Sequence, residues 1–316
     1  MGTAYEDAGV SLGKAEAVIG RLGVAVDSTR TAGVVSALGG FAGLFALDDE
    51  RVLAATTDGV GTKLILARKA DRLRDAGADL AAHCINDVAT CGADPLFLLD
   101  YVASAQLDLE QVAELVEGAA GVCREAGCAI LGGETAEMPD VYAEGEIDFV
   151  GTCVGLVRRA ELIDGSRIVD GDAVVGMASS GLHANGFTLV RRLLGDADFD
   201  ADMLLAPTRC YRDDIRALRD LCDVRGLAHI TGGGIPGNLP RILASGLGAR
   251  IDTNAWERHP VFDWITERGV SEDEQRRVFN LGIGMCAVVP SSDAARSGLP
   301  VIGRIESGVA GVEFAG

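Results

Sequence analysis

The spacing of apolar residues divides this chain into strands and helices of ordinary length. Apolar runs at Val52 to Ala55, Leu96 to Ala103, Cys128 to Leu131 and Phe149 to Val157 predict strands in the first half. The second half repeats the pattern at Ala173 to Ala178, Leu227 to Ile230, Cys286 to Val289 and Val301 to Ile305. Between the strands, Leu80, Cys84, Val88 and Cys91 recur at helical spacing across Ala78 to Cys91. Val112, Leu115, Val116 and Val122 do the same after Asp108, where Gln111 three residues on makes a capping-box-like start. Shorter helices are predicted around Ala15 to Leu22, through Leu189 to Leu194 and after Pro207. The polar, glycine-marked stretch from Arg158 to Asp172 reads as a linker, so an α/β (α+β) chain of two domains, 1–165 and 166–316, is expected.

Polar residues interrupt this pattern where strands end. The run Thr56, Thr57, Asp58, Gly59, Val60, Gly61, Thr62, Lys63 follows a strand and offers N–H groups and an ammonium to phosphate, and a carboxylate to a metal. It fits neither the Walker A nor the Rossmann spacing, and taken alone it reads equally as a solvated turn. Gly39, Gly40 and Gly43 surround Phe41 and suit a lid over phosphates or an ordinary glycine turn. Asp87 falls on the apolar face of its helix, and Asp100 interrupts an apolar strand. A carboxylate pointing at a core needs a cation or several hydrogen bonds. Gly132, Gly133 and Glu134 follow another strand, and ligands gather at strand ends in α/β layers, so Asp58 and Glu134 are expected to share one crevice. Thr231 to Gly234 suit an anion at a helix start, with Asn238 and Arg241 following. His183 and His229 lie beside glycine loops and are either functional or structural; His83 and His259 have no such setting.

Composition narrows the classes. No apolar run reaches the ~18 residues of a membrane span, and the start lacks signal-peptide regions, so a soluble, cytoplasmic protein is expected. A net charge of −19 argues against a nucleic-acid partner. Lysine occurs only at positions 14, 63 and 69, and the acidic balance fits either a high-salt cytosol or a GC-rich genome. Eight cysteines without C-x-x-C spacing read as buried free thiols.

The ordered set Tyr5 to Val10, Gly39 to Phe45, Thr57 to Lys63, Asn86 and Asp87, Pro95 to Tyr101, Gly132 to Pro139, Ser179 to Gly186, Pro207 and Thr208, Ala228 to Gly234 and Phe279 to Met285 resembles the phosphoribosylformylglycinamidine cyclo-ligase family across essentially the whole chain. The resemblance implies ATP-dependent closure of formylglycinamidine ribonucleotide to aminoimidazole ribonucleotide. It also implies a homodimer in which N-terminal strands of both chains form a barrel, with ATP and Mg²⁺ between the glycine-rich elements. ATP is then expected at Gly39, Gly40, Gly43, Asp58, Gly59, Gly61, Thr62, Lys63, Asn86 and Asp87. Asp100, Glu134, Thr135, Ser180, His183, Asn185, Thr231, Gly232 and Gly233 are expected at the substrate, and Asp58, Asp87 and Glu134 at the metal. Asp58, Asp87, His183 and His229 are the catalytic candidates.

Three relatives of similar fold are set aside on residues. Selenophosphate synthetases resemble this chain but normally carry a cysteine or selenocysteine near the first glycine loop, whereas the first cysteine here is Cys84. A hydrogenase-maturation relative would end in a reactive cysteine, and nothing after Cys286 qualifies. Thiamine-monophosphate kinases lack the GGETAEMP and AHITGGG arrangement. A non-catalytic nucleotide-binding subunit stays open. Ser11, Gly23 and Ala42 depart from the expected pattern around the nucleotide.

Overall fold

The structure, a computed structural model, describes residues 12–36 and 39–315; the Tyr5 to Val10 motif and Ser11 lie outside them. In chain order the first half runs α1 (Leu12–Asp27), β1 (Gly43–Ala46), β2 (Arg51–Gly59), α2 (Lys63–Lys69), α3 (Leu73–Ala89), β3 (Asp94–Ser104), α4 (Leu109–Glu125), β4 (Ala129–Glu137) and β5 (Ile147–Arg158). The second half runs β6 (Ala173–Ala178), α5 (Phe187–Leu194), α6 (Ala201–Leu205), α7 (Arg212–Leu221), β7 (Gly226–His229), α8 (Gly234–Asn238), β8 (Leu247–Asp252), α9 (Pro260–Glu267), α10 (Glu272–Val278), β9 (Ile283–Val289), β10 (Val301–Ser307) and β11 (Val312–Ala315).

Two mixed sheets result. The first has the order β1-β2-β5-β3-β4 and the second β11-β8-β10-β6-β9-β7. In the first sheet Val52, Ala54, Phe149, Cys153 and Leu98 are buried under α3 and α4. Burying one such Leu or Phe stabilises the fold by about 2 kcal/mol. Those two helices touch backbone to backbone, because a Cβ at Gly77 would stand 1.9 Å from the Leu115 carbonyl and one at Gly118 1.9 Å from that of Arg74. Asp108 caps α4 by accepting the Gln111 N–H at 3.0 Å, as its sequence predicts.

Among the described residues the opposite face of the first sheet is half-buried to exposed over most of its length. In-register neighbours share a face, so Phe45 with Leu53, Val154 with Phe97, and Thr152 with Leu99 project together from it. Phe45 and Leu99 are exposed there, and the hydroxyls of Thr57 and Thr152 lie 2.8 Å apart. The sheet is open in this chain, so no barrel closes within one subunit.

Several expectations shift. Asp58 and Gly59 end strand β2 rather than following it, and Gly43 belongs to β1, paired with Ala55, so only Gly39 and Gly40 remain in the lid loop. The Gly132 to Glu134 run lies inside β4, not beyond a strand end. Helix α1 is longer than expected, while β1, β8, β11, α2, α6, α9 and α10 have no counterpart among the expected elements. All eight cysteines are free, and all but Cys210 are buried.

Candidate functional site

Helix α3 carries a polar stripe at Asp79, His83, Asn86 and Asp87, three or four residues apart and therefore on one side. The C-terminal half docks on that stripe. Asp79 accepts the backbone N–H and hydroxyl of Thr208 at 2.8 and 2.6 Å. Asn86 donates to the Arg209 carbonyl at 2.9 Å and accepts the Tyr211 N–H at 2.8 Å.

Two acid–histidine pairs form where the halves meet. Asp87 Oδ1 lies 2.8 Å from His229 Nδ1, and the Thr56 hydroxyl lies 3.2 Å from Oδ2. Thus the carboxylate expected on the apolar face belongs to the polar stripe at its border, and finds its partners in a strand and in a histidine of the other half. Asp58 Oδ2 lies 3.4 Å from His83 Nδ1, and its Oδ1 accepts the Gly59 N–H at 2.7 Å. The rings of His83 and His229 meet edge to face with centroids 5.2 Å apart. Burial pushes the Asp58 carboxyl up, but His83 and the Gly59 N–H more than offset this and hold it below the usual carboxylate range. Burial alone would discharge His83, yet Asp58 raises it above its ordinary value. For His229 burial wins over Asp87 and its pKa falls.

Glu134 does not join this group. Asp58, Gly151, Asp100 and Gly133 are register partners across β2, β5, β3 and β4, so Glu134 stands three strand spacings away, roughly 14 Å. It is moreover paired with Tyr101, on the uncovered face, whereas Asp58 and Thr56 point to the helices. Among the described residues no three His, Cys, Asp or Glu side chains assemble a metal cage. The crevice expected to join Asp58 and Glu134 is therefore corrected, as is their shared metal set within one subunit. Asp100 and Thr135 lie with Glu134 on β3 and β4, and burial raises the Asp100 carboxyl. Gly133 is required there because a Cβ would fall 2.4 Å from the Asp100 carbonyl.

The loops of the second half do converge. Asn185 accepts the Gly232 N–H through Oδ1 at 3.0 Å, which ties the Ser179 to Gly186 loop to the Thr231 to Gly234 loop. Its Nδ2 is buried without a partner. His183 is enclosed at φ 61°, its Nε2 accepts the Ser180 N–H at 3.2 Å, and its Nδ1 is also buried and unpaired. An unpaired buried donor is costly unless a ligand or water meets it. Burial, helped by the charges of His229, His83 and Lys63, keeps His183 neutral well below its ordinary pKa. The hydroxyl of Ser180 donates to the Pro207 carbonyl and that of Thr62 lies 3.0 Å from Thr188. Asn238 spends its amide on the Thr231, Gly232 and Gly234 carbonyls, so it shapes the loop instead of meeting an anion.

Three participants differ from the sequence reading: Arg241, named beside the anion loop, has another role, and His83 and His259 were missed. Arg241 donates to the Gly39 carbonyl at 3.1 Å, the Gly40 carbonyl at 2.7 Å and Asn238 Oδ1 at 3.2 Å, and stacks 3.9 Å from the Phe41 ring centroid. It therefore clamps the first glycine loop to the last. A cavity of about 490 Å³ opens beside the clamp, walled in part by Gly39, Phe41, Thr90 and Arg241. A wider opening of about 1030 Å³ lies at the far end of β2 among Asp49, Arg51 and Arg219 and touches none of the candidate residues, so size alone is a poor guide here. His83 is the second; its spacing of four from Asp87 on α3 was the available signal. His259, the third, reaches the Ser179 carbonyl with Nε2 at 2.8 Å. Lys63, expected at phosphate, is instead fully buried, with Nζ 2.7 Å from Asp79 Oδ2.

The histidine shifts give a pH dependence. His183 and His229 bind fewer protons folded than unfolded, so their contribution falls away as pH drops below about 6.5, whereas that of His83 is complete there and is lost as pH rises. Because His183 is shifted furthest, the melting temperature should fall between about pH 7 and pH 5, and His183→Gln should flatten that slope. An unchanged slope in the variant would remove His183 as its cause.

Comparison with known proteins places the chain. The family model described as "AIR synthase related protein, N-terminal domain" matches residues 39–157, and its C-terminal counterpart matches 169–312. A phosphoribosylformylglycinamidine cyclo-ligase of Myxococcus xanthus is 46% identical, covering 98% of this chain and 97% of that protein. Another, of Sorangium cellulosum, is 48% identical over 94% of this chain and 91% of that protein. Among solved structures, a hydrogenase maturation protein, HypE, in complex with ATP shares the fold with TM-score 0.64 at 20% identity, covering 92% of this chain and 86% of that one.

Proposed function

We infer the activity of this chain from the family to which it belongs, the AIR synthase related proteins, and within them from its near full-length identity to phosphoribosylformylglycinamidine cyclo-ligases. It is a ligase of purine biosynthesis that closes formylglycinamidine ribonucleotide to aminoimidazole ribonucleotide, with ATP giving ADP and phosphate. The observation that carries this reading is the identity over both domains. The site adds support, because Asp87 meets His229 of the other half and Arg241 of that half holds the carbonyls of Gly39 and Gly40.

An amide oxygen is a poor leaving group, so ring closure needs it phosphorylated. The oxygen takes the γ-phosphoryl group as ADP departs and the amide nitrogen loses its proton, which gives the iminophosphate. The amidine nitrogen then attacks its carbon, the C–O bond breaks to release phosphate, and the attacking nitrogen gives up a proton. Such chemistry asks a protein mainly for position and charge neutralisation. Asp58 and Asp87 fit a Mg²⁺ held by two carboxylates together with phosphate oxygens, the usual mode for this ion. When bound, Mg²⁺ offsets charge on the triphosphate.

The remaining assignments rest on position. Gly59, Gly61 and Thr62 follow Asp58 in the chain, Asn86 precedes Asp87, and the loop of Gly39 and Gly40 reaches Thr56 through the Phe41 carbonyl at 3.1 Å; these residues are assigned to ATP. The unpaired Asn185 Nδ2 and His183 Nδ1 are assigned to the ribonucleotide with Ser180, Thr231, Gly232 and Gly233, and His183 or His229 to the departing proton. Glu134 faces the uncovered side of edge strand β4 and meets a ribonucleotide only from there, which suits a site completed by a second copy, whereas Asp100 and Thr135 share the side of Asp58 and are assigned to the ribonucleotide from that side. The homodimer, paired through that face, is part of this proposal, as are cytoplasmic operation and a domain boundary near residue 165. Among the described residues no helix is long and apolar enough to cross a membrane.

The experiment is ADP release and imidazole formation with formylglycinamidine ribonucleotide, set against thiamine monophosphate and selenide as competing substrates. Turnover only with the first is expected; ATP binding without turnover would leave a nucleotide-binding subunit. In the same assay His183→Ala should slow single-turnover cyclisation by about a hundredfold. Full cyclisation by the variant would return His183 to packing.

A further inference from the structure

The side chain of Lys63 is fully enclosed although it ends a glycine motif. Its ammonium lies 2.7 Å from Asp79 Oδ2, 2.9 Å from the His183 carbonyl and 3.1 Å from that of Ala206, with the Phe187 ring centroid at 5.4 Å. Of the three donors of an ammonium, two go to these carbonyls, and the Asp79 carboxylate beside them balances the charge. Two of the acceptors belong to the other half of the chain, and Asp79 reaches that half as well through Thr208. One buried ion pair therefore grips both the loop at His183 and the segment from Ala206 to Thr208.

The grip falls where the backbone needs it. His183 is one of only four non-glycine residues with positive φ among those described, at 61°. A left-handed histidine persists only where its surroundings over-determine it. Here the Lys63 ammonium holds its carbonyl and the Ser180 N–H holds its ring. Two residues on, Asn185 presents its unpaired Nδ2.

We propose that Lys63 and Asp79 are the positioning pair that sets the His183 to Asn185 turn for the ribonucleotide, and that Lys63 is not a ligand of the ATP phosphates. This rests on the assignment of that turn to formylglycinamidine ribonucleotide. Lys63 acts through the loop it holds and touches no reacting atom.

The test uses the full chain. Removing one partner strands a buried charge, so Lys63→Met and Asp79→Asn should each lower the melting temperature. The double variant Lys63→Met with Asp79→Asn removes both charges and keeps an acceptor for Thr208, so its melting temperature should recover. Its KM for the ribonucleotide should nevertheless rise tenfold or more, while ATP affinity, measured by calorimetry without ribonucleotide, stays within twofold of wild type. Thr208→Val, which leaves the pair charged, should raise the ribonucleotide KM severalfold with the same indifference to ATP. A tenfold loss of ATP affinity in the double variant overturns the proposal, and so does a refolded double variant with wild-type constants. Asn185→Ala separates the premise from the inference: an unchanged ribonucleotide KM there removes the loop assignment, whatever Lys63 does.

Discussion

Replacing Asp87 with Asn should lower turnover by about a thousandfold while leaving the fold intact. The amide keeps an oxygen for the His229 Nδ1–H and a nitrogen near Thr56, so the contacts at 2.8 and 3.2 Å survive in changed polarity. What disappears is the negative charge available to Mg²⁺ at the seam between the halves. Asp58→Asn should be similarly severe, and it also removes the partner that raises His83, whose pKa should drop back as burial prevails. Both losses should appear as Mg²⁺-dependent ATP binding that calorimetry no longer detects. Wild-type metal dependence in either variant would sink the two-aspartate site. Glu134→Gln separates the reading further: its carboxylate is on the other sheet face, so a metal defect there would have to come through a second copy.

A Leu99→Arg substitution should convert a dimer to monomers, with the dissociation constant raised at least a thousandfold, about 4 kcal/mol. Leu99 is 42% exposed in the middle of a sheet face that also carries Phe45, Leu53, Phe97 and Val154, and an uncovered apolar face of this kind marks an interface. Two copies related by a two-fold axis would cover each other's face, the commonest closed arrangement. Light scattering at micromolar concentration checks both proteins. A wild-type monomer rules out the paired sheets; a dimeric Leu99→Arg chain moves the interface elsewhere. Because Glu134 shares that face, loss of the dimer should also cost activity if a second copy completes the site.

Much of the architecture was legible from local pattern. Strand β6 matches its apolar run residue for residue, and α4 starts at the cap that Asp108 and Gln111 announce. These features depend on neighbours within a few positions, where periodicity and capping chemistry act. Asp87 was legible too, as a carboxylate beside apolar residues that needed a partner, although the sequence did not say that His229, 142 positions away, supplies one.

Tertiary structure alone decided the rest. Glu134 and Asp58 both sit near glycines and look alike in sequence, yet strand order puts two strands between theirs, and parity puts them on opposite faces. The register shift between Leu98 and Leu99, opposite Gly132, is where local alternation stops predicting which side a residue takes. Lys63 resembles a phosphate lysine, but its charge is consumed by Asp79 and by carbonyls 120 and 143 positions distant. Arg241 similarly closes on Gly39 and Gly40 from about 200 positions away. A side chain's type states which bonds it can make, and its local pattern states which element carries it. Which partner takes the bond depends on how the two sheets and α3 meet, and that is set by packing across the whole chain.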